Sequence, residues 1–275
     1  MTIDEKYKLL GENIKKLGKV LVAYSGGVDS TFLLKVCADN LGSKNVLACI
    51  SIGPLLPKRQ LDNAIAMAKD MQVAVETVET NEISDAVFYA NKADRCFHCK
   101  SSLFKILNNI AKEKGYDAVL CGSNLDDYDD YRPGNKAVKV FNVRCPLAEA
   151  QLTKNEIRQL SRKLNLPTAD IPASPCLASR ISYGMEITEK KLKQVEQAEE
   201  YLRDLGFAEF RVRLHDKVAR IEVHEKDIAK IVENRKGIVK KLKALGFKYV
   251  SVDLEGFRSG SLNEMLSQEE KKKNL

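Results

Sequence analysis

Unbroken apolar runs and helically spaced apolar residues take turns along the first 165 positions. Val20-Leu21-Val22-Ala23-Tyr24 is a run of strand length, and after six mostly small polar residues Thr31-Phe32-Leu33-Leu34-Lys35-Val36 begins a helix over 30–41, closed by Gly42. The same succession returns downstream. Residues 46–52 read as a second strand, 58–71 as a helix with Leu61, Ile65 and Ala68 on one side, and 73–78 as a third strand. A helical pattern over 104–114 leads to a fourth strand, Ala118-Val119-Leu120-Cys121, and then to Gly122-Ser123-Asn124. One helix over about 5–17 precedes this series, and another over 153–164 follows it, with Thr153 and Glu156 spaced as a capping box. Such alternation predicts an α/β fold, a parallel sheet with helices on both faces and ligands at the carboxyl ends of its strands. Ser25 and Gly122 both fall at such ends.

Pro167, Pro172 and Pro175 interrupt the pattern, so 166–187 reads as a loop and linker. Beyond it come a helix over 188–205, ended by Gly206, and two alternating strands, 209–215 and 218–223, that form a hairpin over Asp216-Lys217. Helical residues over 226–245 and a strand over 249–254 complete a small C-terminal α+β domain. The expected division is 1–165 for the nucleotide-binding domain, 166–187 for the loop carrying Cys176, 188–265 for the small substrate or oligomerisation domain, and 266–275 for a basic tail. That tail, with Lys271-Lys272-Lys273, reads as frayed.

The hexapeptide Ser25-Gly26-Gly27-Val28-Asp29-Ser30 lies between the first strand and its helix. Paired glycines let backbone approach an anion, and the helix start directs N–H groups and its positive dipole end at the loop. Ser25 and Ser30 add hydroxyl donors. Asp29, a carboxylate where phosphates are expected, makes sense as a Mg²⁺ holder. No lysine stands where G-x-x-x-x-G-K-[ST] needs one, which argues against γ-phosphoryl transfer. The segment resembles the PP-loop of ATP pyrophosphatases, which split ATP to AMP and pyrophosphate.

Composition narrows the setting. With 275 residues, 44% of them hydrophobic and 30% charged, the chain has room for one large or two ordinary domains. No apolar stretch spans a membrane, and the start Met1-Thr2-Ile3-Asp4-Glu5-Lys6 lacks a signal core, so a cytoplasmic location is expected. The net charge of +7 suits anionic ligands but is modest. Seven cysteines argue for thiols, metal ligands or sulfur chemistry rather than a disulfide frame. Cys37, Cys49, Cys121 and Cys145 sit in apolar patterns and read as buried, inert thiols. Cys96-Phe97-His98-Cys99 by itself fits a redox pair or half a zinc site, but no second C-x-x-C accompanies it and the chain has only three histidines. With Cys176 there are three candidates, and three cysteines can hold a [4Fe-4S] cluster with one iron open.

Taken together, the PP-loop, Arg95-Cys96-Phe97-His98-Cys99-Lys100, Gly122-Ser123-Asn124-Leu125-Asp126-Asp127, Asp130-Tyr131-Arg132-Pro133-Gly134, Pro175-Cys176-Leu177-Ala178-Ser179-Arg180-Ile181 and Leu254-Glu255-Gly256-Phe257-Arg258 resemble the LarE family over about residues 5–265. The resemblance implies an ATP-dependent sulfur transferase of nickel-pincer cofactor synthesis, matured for lactate racemase. Its substrate is pyridinium-3,5-dicarboxylate mononucleotide, whose carboxylates are adenylated and converted to thiocarboxylates. Many members carry only the cysteine matching Cys176 and sacrifice its sulfur. Cys96 and Cys99 make this chain similar to the subgroup in which three cysteines hold a cluster, so the expected metal ligands are Cys96, Cys99 and Cys176.

On this reading Ser25, Gly26, Gly27, Asp29 and Ser30 hold ATP phosphates and Mg²⁺. Ser51, Gly122 and Asn124 line the nucleotide from neighbouring strand ends, Asp127 assists the metal, and Lys100 offsets phosphate charge. Arg180, four residues past Cys176, meets charge that develops during adenylation. Arg211 and Arg213 alternate on one strand face as a fork for the substrate phosphate, with Glu222 on the paired strand and Arg258 as further substrate residues. The expected partners are the small mononucleotide, a sulfide or persulfide donor and further copies of the chain in a homo-oligomer. The rival readings are a cluster-dependent tRNA thiolation enzyme and an amidating ligase. Against RNA, the second domain lacks interleaved aromatic and basic residues, so no nucleic acid is expected.

Overall fold

The computed structural model describes residues 1–128, 131–172 and 175–274, so Asp130 and Ser174 of the sequence motifs lie outside the described residues. From the amino end the chain forms α1 (Ile3–Lys15), β1 (Val20–Ala23), α2 (Val28–Leu41), β2 (Val46–Ile52), α3 (Lys58–Asp70) and β3 (Ala74–Glu79). Short α4 (Ala86–Tyr89) and long α5 (Arg95–Lys114) precede β4 (Ala118–Cys121), α6 (Asn135–Val140), α7 (Pro146–Glu149) and α8 (Lys154–Lys163). The remainder is α9 (Glu189–Asp204), β5 (Phe210–His215), β6 (Val218–Val223), α10 (Ile228–Glu233), α11 (Arg235–Ala244), β7 (Tyr249–Val252) and α12 (Gln268–Asn274). Two compact units result. One is built from Met1–Asn81 with Asp94–Ser174, the other from Glu82–Ala93 with Pro175–Lys273.

In the first unit the sheet order is β3-β2-β1-β4, all parallel, with Val20 level with Val46 on one side and Ala118 on the other. Successive residues of β1 point to opposite faces. Val20 and Val22 join Leu10 and Ile14 of α1, Phe32 to Leu34 of α2 and Ala64 and Ala68 of α3 in one core. Leu21 joins Leu47, Val119 and, from α5, Phe104 and Leu107 in the other. Helices therefore cover both faces, as the alternating pattern predicts. Each fully buried leucine contributes about 2 kcal/mol, so an apolar run in an inner strand such as β1 is what both layers require.

Five helices depart from expectation. Helix α5 begins at Arg95, nine residues before the periodic stretch, because Asp94 opens the turn: its carbonyl accepts the Phe97 N–H at 2.8 Å. The C-F-H-C segment carries too few apolar residues to show a helical period. The short α4, α6 and α7 are below the length at which a period can be read. The tail is a helix rather than frayed, since Ser267 and Glu270 form a reciprocal cap, with Ser267 N–H on Glu270 Oε2 at 2.8 Å and Glu270 N–H on Ser267 Oγ at 3.2 Å.

In the second unit β5 and β6 form the expected antiparallel hairpin, turning at Asp216 with φ +51°, and β7 adds parallel to β6. Helix α9 packs on β5. Residues 82–93 belong to this unit through the fully buried Asn91, whose Nδ2 donates to the carbonyls of Ser182 and Met185 at 2.8 and 2.9 Å. Among the described residues no helix is long and apolar enough to cross a membrane, and no disulfide is formed.

Candidate active site

The hexapeptide occupies the carboxyl end of β1 and caps α2. Gly26 adopts φ +72°, and a Cβ there would lie 2.6 Å from Ala64 Cβ on α3, so side chain and conformation both require glycine. Gly27 is the N-cap of α2, and its carbonyl accepts Thr31 N–H at 2.9 Å and Ser30 Oγ–H at 3.2 Å. The two serine hydroxyls meet at 3.1 Å, and Ser30 Oγ also accepts the Ser25 N–H at 3.3 Å. A compact loop is thereby held over the helix start, whose first N–H groups have no carbonyl one turn back to bind. Sequence reasoning did not single out Gln60, which steadies the loop by donating to the Ser25 carbonyl at 2.9 Å.

Strand β4 delivers the facing wall. Gly122 backs onto α2 so closely that a Cβ would sit 2.9 Å from the Ser30 nitrogen. Two residues on, Asn124 Nδ2 donates to Asp29 Oδ1 at 3.3 Å, and Asn124 N–H donates to Asp127 Oδ2 at 3.1 Å. Asp127 also pairs with Arg132 at 2.9 Å. Burial raises the Asp127 carboxyl above the usual range, the Arg132 charge opposes that rise, and the Asp29 carboxylate adds to it. Two mutually felt carboxylates with a buried Asn124 Oδ1 that has no hydrogen-bond partner make a set of hard oxygens suited to Mg²⁺. Lys154, which the sequence reading passed over, forms an ion pair with Asp29 Oδ2. A cation in the first turn of a helix opposes the dipole, and this was the available signal: α8 carries Lys154 at its first position because Asp29 and the Asp126 carboxylate, accepting its N–H at 2.9 Å, offset the cost.

Ser51, at the end of β2, shares a 2.6 Å hydrogen bond with Thr80 just past β3. Lys100 lies against Gly134, where a Cβ would come within 2.7 Å of its Cδ, and its charge is felt by Asp127. Lys100 therefore reaches the same strand ends as the loop. Cys96 and Cys99 are half-buried and one helical turn apart in α5, on one face. His98 between them pairs with Asp94 at 3.2 Å.

The second unit places Cys176, exposed, at the head of a tight turn over Leu177–Arg180. Arg180 is buried and holds that turn: Nη1 donates to the carbonyls of Pro175 and Cys176 at 2.5 and 3.2 Å, while Nε and Nη2 bind both oxygens of Glu199 at 2.9 and 3.0 Å. Glu199, another residue passed over, is the counterion that lets an arginine be spent under the cysteine. Arg213 is held by the buried Glu222 at 2.9 Å and donates to the Ser179 carbonyl at 2.8 Å. Glu222 also binds Arg220 and the Ser261 hydroxyl at 2.9 and 2.8 Å. Arg211 lies opposite Glu222 in register and stacks on Phe257 at 4.9 Å. Burial, and then the neighbouring Arg180 charge, lower its guanidinium to about 10. An anion bound beside Arg211 would relieve both effects. Arg258 sits among Asp253, Glu255 and Glu264, the nearest being Glu255 at 2.8 Å.

Among the described residues no three His, Cys, Asp or Glu side chains are gathered to hold a metal ion. Each unit thus presents its own constellation, a glycine-rich loop at a helix start with hard oxygens beside it in the first and a cysteine turn over an arginine-rich strand pair in the second.

A family model described as NAD synthase matches residues 2–111, the stretch holding the loop and the first three strands. The NH₃-dependent NAD⁺ synthetase of Fusobacterium nucleatum is 26% identical over 62% of this chain and 67% of its own length. Full-length similarity extends to an uncharacterized protein of Synechocystis, 43% identical over 97% of this chain and 100% of that one. The pyridinium-3,5-bisthiocarboxylic acid mononucleotide synthase of Lactiplantibacillus plantarum is 38% identical over 97% of both chains. With a PP-loop fold and that full-length likeness, the chain belongs to the LarE family.

Proposed function

We propose that the protein is an ATP-dependent sulfur transferase that acts on pyridinium-3,5-dicarboxylate mononucleotide in the cytoplasm, as a homo-oligomer. In the reaction a substrate carboxylate oxygen forms a bond to the α-phosphorus as the bond to the β-phosphate oxygen breaks, releasing pyrophosphate. A sulfur nucleophile then attacks the acyl carbon and AMP leaves with the former carboxylate oxygen. The observation that carries this reading is Asp29 held between Asn124 and Lys154 at the helix start that Gly26 and Gly27 open. Helix N–H groups and the serine hydroxyls bind phosphate oxygens, while Asp29, Asp127 and Asn124 suit Mg²⁺. Lys154 and Lys100 offset charge as pyrophosphate departs. Arg211 is the substrate phosphate's partner.

Cys96, Cys99 and Cys176 are the ligands we assign to a [4Fe-4S] cluster, which when bound supplies sulfur reloaded from a sulfide or persulfide donor. The half-buried thiols one turn apart fit two such ligand positions. The exposure of Cys176 favours a second reading, in which its own sulfur is given up. Anaerobic protein is incubated with ATP, Mg²⁺ and the mononucleotide, and pyrophosphate, iron and whole-protein mass are measured. Substrate-dependent pyrophosphate with about four irons per chain and unchanged mass supports the cluster route. Loss of one H₂S from the protein supports the sacrificial route. Pyrophosphate release that ignores the mononucleotide overturns the assignment.

A further inference from the structure

Cys121 and Cys145, which apolar pattern alone reads as inert, are not two isolated core thiols. A parallel bridge between Leu120 and Arg144, with the Cys121 N–H donating to the Arg144 carbonyl at 2.9 Å, brings the next residues of the two segments level. Their Sγ atoms lie 3.1 Å apart, inside ordinary sulfur contact, with Ser123 Oγ 3.6 Å from Cys121. Neighbouring parallel strands hold Cα atoms about 5 Å apart, within the span a disulfide bridges. Among the described residues the two other buried thiols, Cys37 and Cys49, have no such partner, and burial pushes both up to about 12. In contrast, the Cys145 S–H, and with it the Lys100 charge, favours the Cys121 thiolate and lowers that thiol below its ordinary range against the opposing effect of burial, while the second proton of the pair is held more firmly.

We propose that Cys121 and Cys145 form a redox site that a hydroperoxide closes reversibly to a disulfide, and that closure lowers ATP cleavage. The Cys121 thiolate attacks one oxygen of hydrogen peroxide, breaking the O–O bond to give a sulfenic acid and hydroxide, which takes up the proton the thiol had released and becomes water. Cys145 then attacks that sulfur, forming the S–S bond and expelling the second water, so two thiols lose two hydrogens and the peroxide takes up two electrons. The effect on ATP follows from position. Cys121 immediately precedes Gly122, which has no clearance from the start of α2, and three residues later Asn124 holds Asp29. Drawing the sulfurs together moves the strand end against the phosphate cradle.

The test is hydrogen peroxide at low multiples of the full-length protein, followed by alkylation, proteolysis and mass mapping, with pyrophosphate release assayed in parallel. The expected result is a Cys121–Cys145 cross-linked peptide that dithiothreitol dissolves. Activity should fall several-fold in wild type, recover on reduction, and fall markedly less in Cys145→Ser, which keeps Cys96, Cys99 and Cys176. Recovery of Cys121 and Cys145 as thiols at doses that oxidise Cys176 overturns the site, and the mapping needs no active enzyme. Equal peroxide loss in wild type and Cys145→Ser overturns the coupling to ATP.

Discussion

Replacing Arg211 by methionine separates what a buried cation does for the fold from what it does for a ligand. Arg211 is only 7% exposed, and the fall of its guanidinium from the ordinary arginine range to about 10, at about 1.4 kcal/mol per tenfold, puts about 3 kcal/mol as a ceiling on what keeping it charged costs. Methionine retains the stem but forfeits the stacking on Phe257, about 1 kcal/mol, and the hydrogen bond to the Phe210 carbonyl, about another 1 kcal/mol. On these contributions the balance favours Arg211→Met by at most about 1 kcal/mol. Because the folded value lies below the unfolded one, the penalty in wild type is full below about pH 10 and fades as pH climbs from there towards the ordinary arginine range; at neutral pH the variant therefore shows its whole advantage. The chain has no tryptophan, so urea unfolding is followed by far-ultraviolet circular dichroism. A gain of about 1 kcal/mol moves the midpoint up by roughly 0.5 M. Losing a charged phosphate contact of about 2 kcal/mol weakens the mononucleotide roughly 30-fold, with ATP affinity unchanged. A variant that is less stable than wild type and binds the mononucleotide equally well would refute the reasoning.

Other perturbations address the scaffold. Lys154→Met removes the counterion of Asp29 and should raise the KM for ATP about tenfold without altering mononucleotide affinity, checked by pyrophosphate release at varied ATP. Gly26→Ala forces a left-handed backbone on a residue whose new methyl meets Ala64 at 2.6 Å, and should cost about 2–3 kcal/mol in urea unfolding. Glu199→Gln leaves Arg180 short of its carboxylate inside the second unit and should cost about 3 kcal/mol. The same change should quicken Cys176 alkylation by iodoacetamide, as the turn it heads loosens.

The sheet was legible because β1 and the first five residues of β2 are packed on both faces and must be apolar there, and the loop because two adjacent glycines after a strand have few other uses. What stayed hidden depends on residues far apart in sequence. Lys154 is 125 positions from Asp29, and Glu199 is 19 from Arg180, so neither pairing has a local pattern. Cys121 and Cys145 come level only through a bridge of single residues, which no run of strand-forming residues announces. Tail residues 268–274 carried their own signal, a serine followed three places later by glutamate, masked by the lysines that follow.

Asn91 has a bearing on how the polypeptide can be made and divided. It leaves the ribosome about 90 residues before Ile181, one of the carbonyls that saturate its amide. Until then Phe88 and its neighbours have nothing to bury them, and a nascent fragment stopping short of Pro175 should be sticky and prone to degradation. Nor will one cut liberate the first unit intact, because residues 82–93, which interrupt it, belong to the other.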